Sequence, residues 1–217
     1  TNTYRSGAYE YRSQVNVNGG VLDAKNGALA TGSTGNIDFE AGNGELKLPS
    51  TVQNYLITYT VDSKEELLAA NGDAHCNNIL LKSDVELAEA YTVNKALTVM
   101  NDEWRMYRLT VSSGTTLTVP ENKTLYVNGE LRVEGELVNN GTIVGEGFID
   151  VMGGTLNNGG KIDLNGEIGV EKGGTVQNSG SVSKNTSFTL ADYWYSDGEK
   201  ETYVLAEGTT LNSLGDN

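Results

Sequence analysis

Two kinds of side chain in this sequence could do chemistry: acids on outward strand positions and aromatics grouped away from the apolar runs. Asp150 and Asp163 each stand between two apolar residues, in Ile149-Asp150-Val151 and Ile162-Asp163-Leu164. Strand alternation turns both carboxylates outward. Carboxylates beside backbone carbonyls suit Ca2+, so these two are the candidate metal ligands and Ca2+ is the only cofactor the acids suggest. The Asp/Gly repeat of calcium-binding β-rolls is absent. Trp104 sits in a long bend with Met106 and Tyr107, and Tyr193, Trp194, Tyr195 and Tyr203 gather near the C-terminus. Sugar faces stack on exposed flat rings, which makes Trp104 and the C-terminal group candidate ligand-binding residues. The competing account is that they pack over the core as bend filler and cap. His75-Cys76 holds the only histidine and cysteine. A structural zinc site needs four ligands, so a small buried cysteine is expected there.

Catalysis on glycans makes stricter demands. Glycoside hydrolysis uses two carboxylates roughly 5–9.5 Å apart across the sugar. Lyase chemistry on uronates uses an Arg or Lys base beside carboxylate-held Ca2+. On a repetitive coil either set would appear as outward acids in one column on adjacent turns. The expected outward columns are Glu86, Val144, Asp163, Ser183 and Thr92, Thr110, Asp150, Gly169, Thr189. Neither puts two acids on neighbouring turns, so no catalytic residue is assigned. Glu130, Arg132, Glu134 and Glu136 read as a solvated face. Thr116, Thr155 and Thr175 align, but Glu136 interrupts the Thr ranks that an ice-binding face would need.

The elements that must position these groups follow from a period near 20 residues. Ile79, Leu97, Leu117, Leu137, Leu156 and Val176 begin successive units, at steps of 18, 20, 20, 19 and 20. Apolar residues recur at shared offsets, as in Ile162, Leu164, Ile168 and Val170. Self-similar units of this length mark a stacked solenoid. Short apolar-x-apolar strands broken by Gly and Asn give three strands per turn around an apolar bore, with turns pairing in parallel at about 4.8 Å. Asn139, Asn158 and Asn178 share one offset, in bends ending at Gly141, Gly160 and Gly180. Such a column can pass amide hydrogen bonds from turn to turn.

The expected fold is therefore all-β, a parallel β-helix of about six turns; offsets of 0, +6 and +12 also fit the six-residue repeat of left-handed β-helices, but units varying between 18 and 20 residues favour the right-handed form. Ser63 and Glu66 fit a capping box for a helix over 63–70, with Leu67 and Leu68 as its apolar face, covering the bottom of the first turn. Residues 1–62 contain strand-like runs without a 20-residue register. Residues 191–217 read as a hairpin that closes the top, with a Ser196-Asp197-Gly198 turn.

Composition narrows the function classes. The 217 residues carry a formal charge of −14. That argues against nucleic acid as a partner, because phosphate contacts need clustered Lys and Arg. No segment approaches the roughly 20 apolar residues of a membrane span. The chain begins at Thr1 and reads as a mature or trimmed form, expected outside the cell or on its surface.

The run "LTVPENKTLYVNGELRVEGELVNNGTIVGEGFIDVMGGTLNNGGKIDLNGEIGV" is similar to right-handed parallel β-helix regions of bacterial extracellular surface proteins. The stretch from Glu65 to Val99 resembles the entry to such regions, where a short helix precedes the first turns. The resemblance covers 63 to about 190 and implies the pectin-lyase-like fold and an adhesin-like protein. The expected function is a non-enzymatic, rigid face for a glycan or protein partner. A polysaccharide lyase or glycoside hydrolase of the same fold, and a structural stalk, are the alternatives.

Overall fold

The structure is a computed structural model that describes residues 14–23, 25, 29–49, 52–171, 173–191, 201–202 and 208–212. Among these described residues it is an all-β parallel solenoid with one α-helix. Its turns number about eight rather than six, because winding begins before residue 63. The chain divides into two compact units, Thr1–Leu81 and Lys82–Asn217.

The first unit contains β1 (Gln14–Val17), β2 (Gly20–Asp23), β3 (Leu29–Glu40), β4 (Gly44–Lys47), β5 (Val52–Val61), α1 (Lys64–Gly72) and β6 (Asn78–Leu81). β1, β3, β5 and β6 pair in parallel in chain order, and β2 pairs β4. This ladder carries a register that the sequence pattern hides. Val17, Phe39, Tyr59 and Ile79 are successive partners, 22, 20 and 20 residues apart. The expectation that residues 1–62 lack the period is thus corrected. β3 is 12 residues long, and its pairing with β5 shifts between Ala30 and Gly35, so Gly, Ser and Thr dilute the apolar alternation. Phe39 and Tyr59 meet edge to face with ring centroids 5.0 Å apart, a favoured aromatic geometry.

α1 starts where the capping box places it: Ser63 Oγ accepts the Glu66 N–H at 3.3 Å. The return bond is displaced by one residue, because Glu66 Oε2 accepts from the Asp62 N–H at 3.1 Å. The buried face is Leu67 and Ala70, while Leu68 is exposed, since adjacent helical residues do not share a face. Nor does the helix cover the bottom of a first turn. It links β5 to β6, which pair with each other, and β5 pairs β3 on its other edge. The helix thus takes the part of a turn where earlier turns place β2 and β4. Just after it, Cys76 is buried and its thiol donates to the Asn78 carbonyl. The Tyr59 hydroxyl donates to Asp73 Oδ2 at 2.6 Å; burial and this bond push the phenol pKa well up.

The second unit winds three parallel faces. Face I stacks Val85–Leu87, Arg108–Val111, Glu130–Val133, Phe148–Met152, Glu167–Glu171 and Ser187–Ala191. Face II stacks Tyr91–Thr92, Thr116–Val119, Glu136–Asn139, Thr155–Asn158 and Thr175–Asn178. Face III stacks Ala96–Val99, Thr124–Val127, Thr142–Gly145, Lys161–Leu164 and Ser181–Val182. Leu117, Leu137, Leu156 and Val176 are stacked partners with no exposed surface. Burying each such side chain contributes about 1.5–3 kcal/mol.

The register before Leu117 differs from the expected one. Leu117 pairs with Tyr91, whereas Leu97 pairs with Leu125 on another face. That turn is longer because residues 100–107 leave the coil as a hairpin, closed by the Asn101–Met106 bridge. The outward columns change with it. Face I presents Glu86, Thr110, Arg132, Asp150, Gly169 and Thr189, and face III presents Thr98, Tyr126, Val144 and Asp163.

The asparagine column stands as read. Asn139 Nδ2 donates to Asn158 Oδ1, and Asn158 Nδ2 to Asn178 Oδ1, each at 2.7 Å, and all three residues are buried. Past the last turn the chain returns antiparallel: Glu201–Thr202 against face I and Thr209–Asn212 against face II. The described strands of the expected C-terminal hairpin therefore lie on two different faces. Residues 192–200 and 203–207, which hold the Ser196–Gly198 turn, lie outside the described residues. Among the described residues no helix is long and apolar enough to cross a membrane.

Candidate functional site

The corner where face III runs into face I varies in length from turn to turn, and that variation makes a groove. In three central turns the bend is only two residues: Asn128-Gly129, Glu146-Gly147 and Asn165-Gly166. In the turn below it is the hairpin 100–107, and in the turn above it is the loop 183–186. Glycine is required at the second position of the short bends. A Cβ on Gly147 would lie 2.0 Å from the Gly129 carbonyl oxygen, and one on Gly166 would lie 1.9 Å from that of Gly147. The backbones stack too closely for any side chain, so the polar groups come from the residue before each glycine.

Asn128, Glu146 and Asn165 therefore recur at one corner. Together with Asn101 from the hairpin, Asn185 from the upper loop, and Val144, Gly145 and Asp163, they line a groove of about 640 Å3. That is within the range of small-ligand sites. Five turns at the parallel strand spacing give it a length of about 19 Å, the scale of a short oligosaccharide. Tyr126, exposed and paired with Val144, adds a ring to the same face.

The hairpin at the lower end is braced from within. Asp102 Oδ1 accepts the N–H groups of Trp104 and Arg105 at 2.9 and 2.8 Å, and Oδ2 accepts the Tyr107 hydroxyl at 2.7 Å. The Tyr107 bond, then the two amides and the Arg105 guanidinium, hold the Asp102 carboxyl below the usual carboxylate range. Arg105 lies over the Tyr107 ring at 5.4 Å and bonds Asp84 Oδ2 at 2.6 Å. Trp104 projects from this frame with 89% of its surface exposed. The bend-filler account does not hold for Trp104. A large ring held in water by an ordered turn costs hydration and gains no packing.

The other expected site residues are dispersed. Asp163 lines the groove; Lys161 at 2.7 Å, then Ser183, lower its carboxyl pKa. Asp150 lies on face I, with its carboxylate 3.4 Å from Arg132 Nε. The two acids are on different faces and do not form one site, and among the described residues no three His, Cys, Asp or Glu side chains gather as metal ligands. Tyr193, Trp194, Tyr195 and Tyr203 lie outside the described residues.

Face I corrects the solvated-face reading. Arg132 Nη2 is 3.3 Å from Glu130 Oε1, and Arg108 Nη2 is 2.7 Å from Glu130 Oε2. With Asp150 this places two acids on neighbouring turns with an arginine contacting both. The side chains are mostly shielded, Asp150 retaining 8% exposure. The Arg132–Asp150 contact at 3.4 Å is an ion pair and not an aligned hydrogen bond. Two extra residues in the bend 120–123, compared with 140–141 and 159–160, put Arg132 outside this column in the sequence register. The groove was missed for a related reason, although the Asn-Gly, Glu-Gly and Asn-Gly pairs at the 20-residue period were its visible trace.

No protein-family model, curated protein or solved structure matches the chain.

Proposed function

We propose that this chain is a non-enzymatic binding protein that holds a glycan along the face III corner. The exposed Trp104, on a braced hairpin whose Asn101 lines one end of the amide-lined groove, carries this reading. Amide side chains both donate and accept hydrogen bonds, as sugar hydroxyls require. A flat ring at one end supplies the apolar contact that a sugar face needs. The rigid rungs keep both parts in place without a closing motion. The resemblance to right-handed, pectin-lyase-like surface regions supports an adhesin-like role, displayed outside the cell.

A glycan array followed by calorimetric titration tests this. Trp104→Ala should weaken binding about tenfold or more while leaving the unfolding temperature unchanged, because the ring packs on nothing. Absence of any glycan ligand at millimolar concentration would sink the proposal.

A second reading rests on Glu130, Arg132 and Asp150, which meet the requirement for acids on adjacent turns beside an arginine. Against catalysis, both guanidinium groups are already engaged by protein carboxylates. Glycan cleavage that disappears in Glu130→Gln would establish the enzyme instead.

A further inference from the structure

We infer that the corner groove selects uncharged glycans and rejects those bearing uronate or sulfate groups. This rests on the glycan reading above and adds the class of sugar. The groove is lined by four amides, Asn101, Asn128, Asn165 and Asn185, and two carboxylates, Glu146 and Asp163. Among the described residues no Lys, Arg or His lines it. Recognition of an anionic sugar calls for the opposite arrangement, a guanidinium fork or an ammonium facing the acid group. Lys161 is bound to Asp163 at 2.7 Å, Arg105 of the lower hairpin to Asp84 at 2.6 Å, and the arginines of face I to Glu130 and Asp150; Lys184, beside Asn185 in the upper loop, is not among the lining residues. An incoming uronate would meet Glu146 and Asp163 at the groove and a protein of formal charge −14 on approach. Like-charge juxtaposition at an interface excludes a partner more strongly than opposite charge attracts one. The amides, by contrast, lose nothing with a neutral sugar, since each can keep both a donor and an acceptor engaged.

The experiment titrates the full chain, at low salt, with neutral oligosaccharides of glucose, mannose and N-acetylglucosamine and with oligogalacturonate of equal length. The neutral class should contain a ligand bound at least about tenfold more tightly than the uronate. Raising the salt should narrow the gap, by screening the repulsion. Glu146→Gln, at an exposed bend position that leaves the stacked glycines intact, should raise uronate affinity relative to that for the neutral ligand and so narrow the ratio between them. Uronate binding as tight as the neutral sugar would overturn the selectivity and leave the glycan reading standing. A preference that Glu146→Gln and Asp163→Asn both leave unchanged would overturn its assignment to these carboxylates. Failure of every sugar to bind would overturn both readings together.

Discussion

Two corners of the same coil are built from the same materials and come to opposite ends. At the corner after face II, Gly141, Gly160 and Gly180 stack so closely that a Cβ on Gly180 would lie 2.1 Å from the Gly160 oxygen. At the corner after face III, Gly129, Gly147 and Gly166 do the same. Both corners are rich in asparagine. In the first, the asparagines turn into the bore and bond one another, Asn139 to Asn158 to Asn178. In the second, Asn128, Asn165 and Asn185 line a groove. Residue type does not separate scaffold from site here. Direction does: an amide facing inward must find its partners within the protein, and one facing outward can keep them for a ligand.

Substitutions that remove one corner's device while sparing the other's should pull the two roles apart. The largest effect is expected for Asn158→Leu. It removes the middle of the buried ladder and leaves the amides of Asn139 and Asn178 without their Asn158 partner, at about 1–3 kcal/mol each. Urea unfolding should show the loss, and a midpoint unchanged from wild type would mean that the ladder is incidental to stability. Next comes Asp102→Asn, which weakens the acceptor for Trp104, Arg105 and Tyr107. Indole anisotropy in a Trp194→Phe background should fall, with little change in global stability, because the hairpin lies outside the coil. Unaltered anisotropy would remove Asp102 as the brace.

The smallest effect is that of pH. Asp102 has a folded pKa below its unfolded value of about 3.9, so its contribution to hairpin order is full above that value. It is lost only as pH falls through the lower folded pKa. Trp104 fluorescence should therefore stay constant from neutrality down to about pH 5 and change only in stronger acid. A transition near neutrality would assign the brace to another group.

Much of this fold is legible in the sequence. Leu117, Leu137, Leu156 and Val176 keep one spacing because nothing interrupts the turns between them, and the Asn column follows from the same run. Interruption is what defeats pattern reading. The hairpin at 100–107 shifts every position before it by several residues, which takes Glu86 and Thr92 out of their own columns, and the bend at 120–123, two residues longer than 140–141 or 159–160, does the same to Arg132. In the first unit, the long β3 has few apolar markers, so the partnership of Val17, Phe39 and Tyr59 could not be seen. Trp104 was legible as an aromatic in a long bend, but its exposure depends on whether the hairpin folds over the coil or stands away from it. The groove lay further out of reach, because it exists only as a difference in loop length between neighbouring turns.

The strands Glu201–Thr202 and Thr209–Asn212 reverse direction against faces I and II. A parallel coil is its own template, and a bare last rung invites the first rung of another molecule. A reversed strand laid along that rung has the wrong polarity to be copied. On two of the three faces the chain therefore ends its own pattern, which lets a fold made of repetition stop at a defined length rather than grow into a fibre.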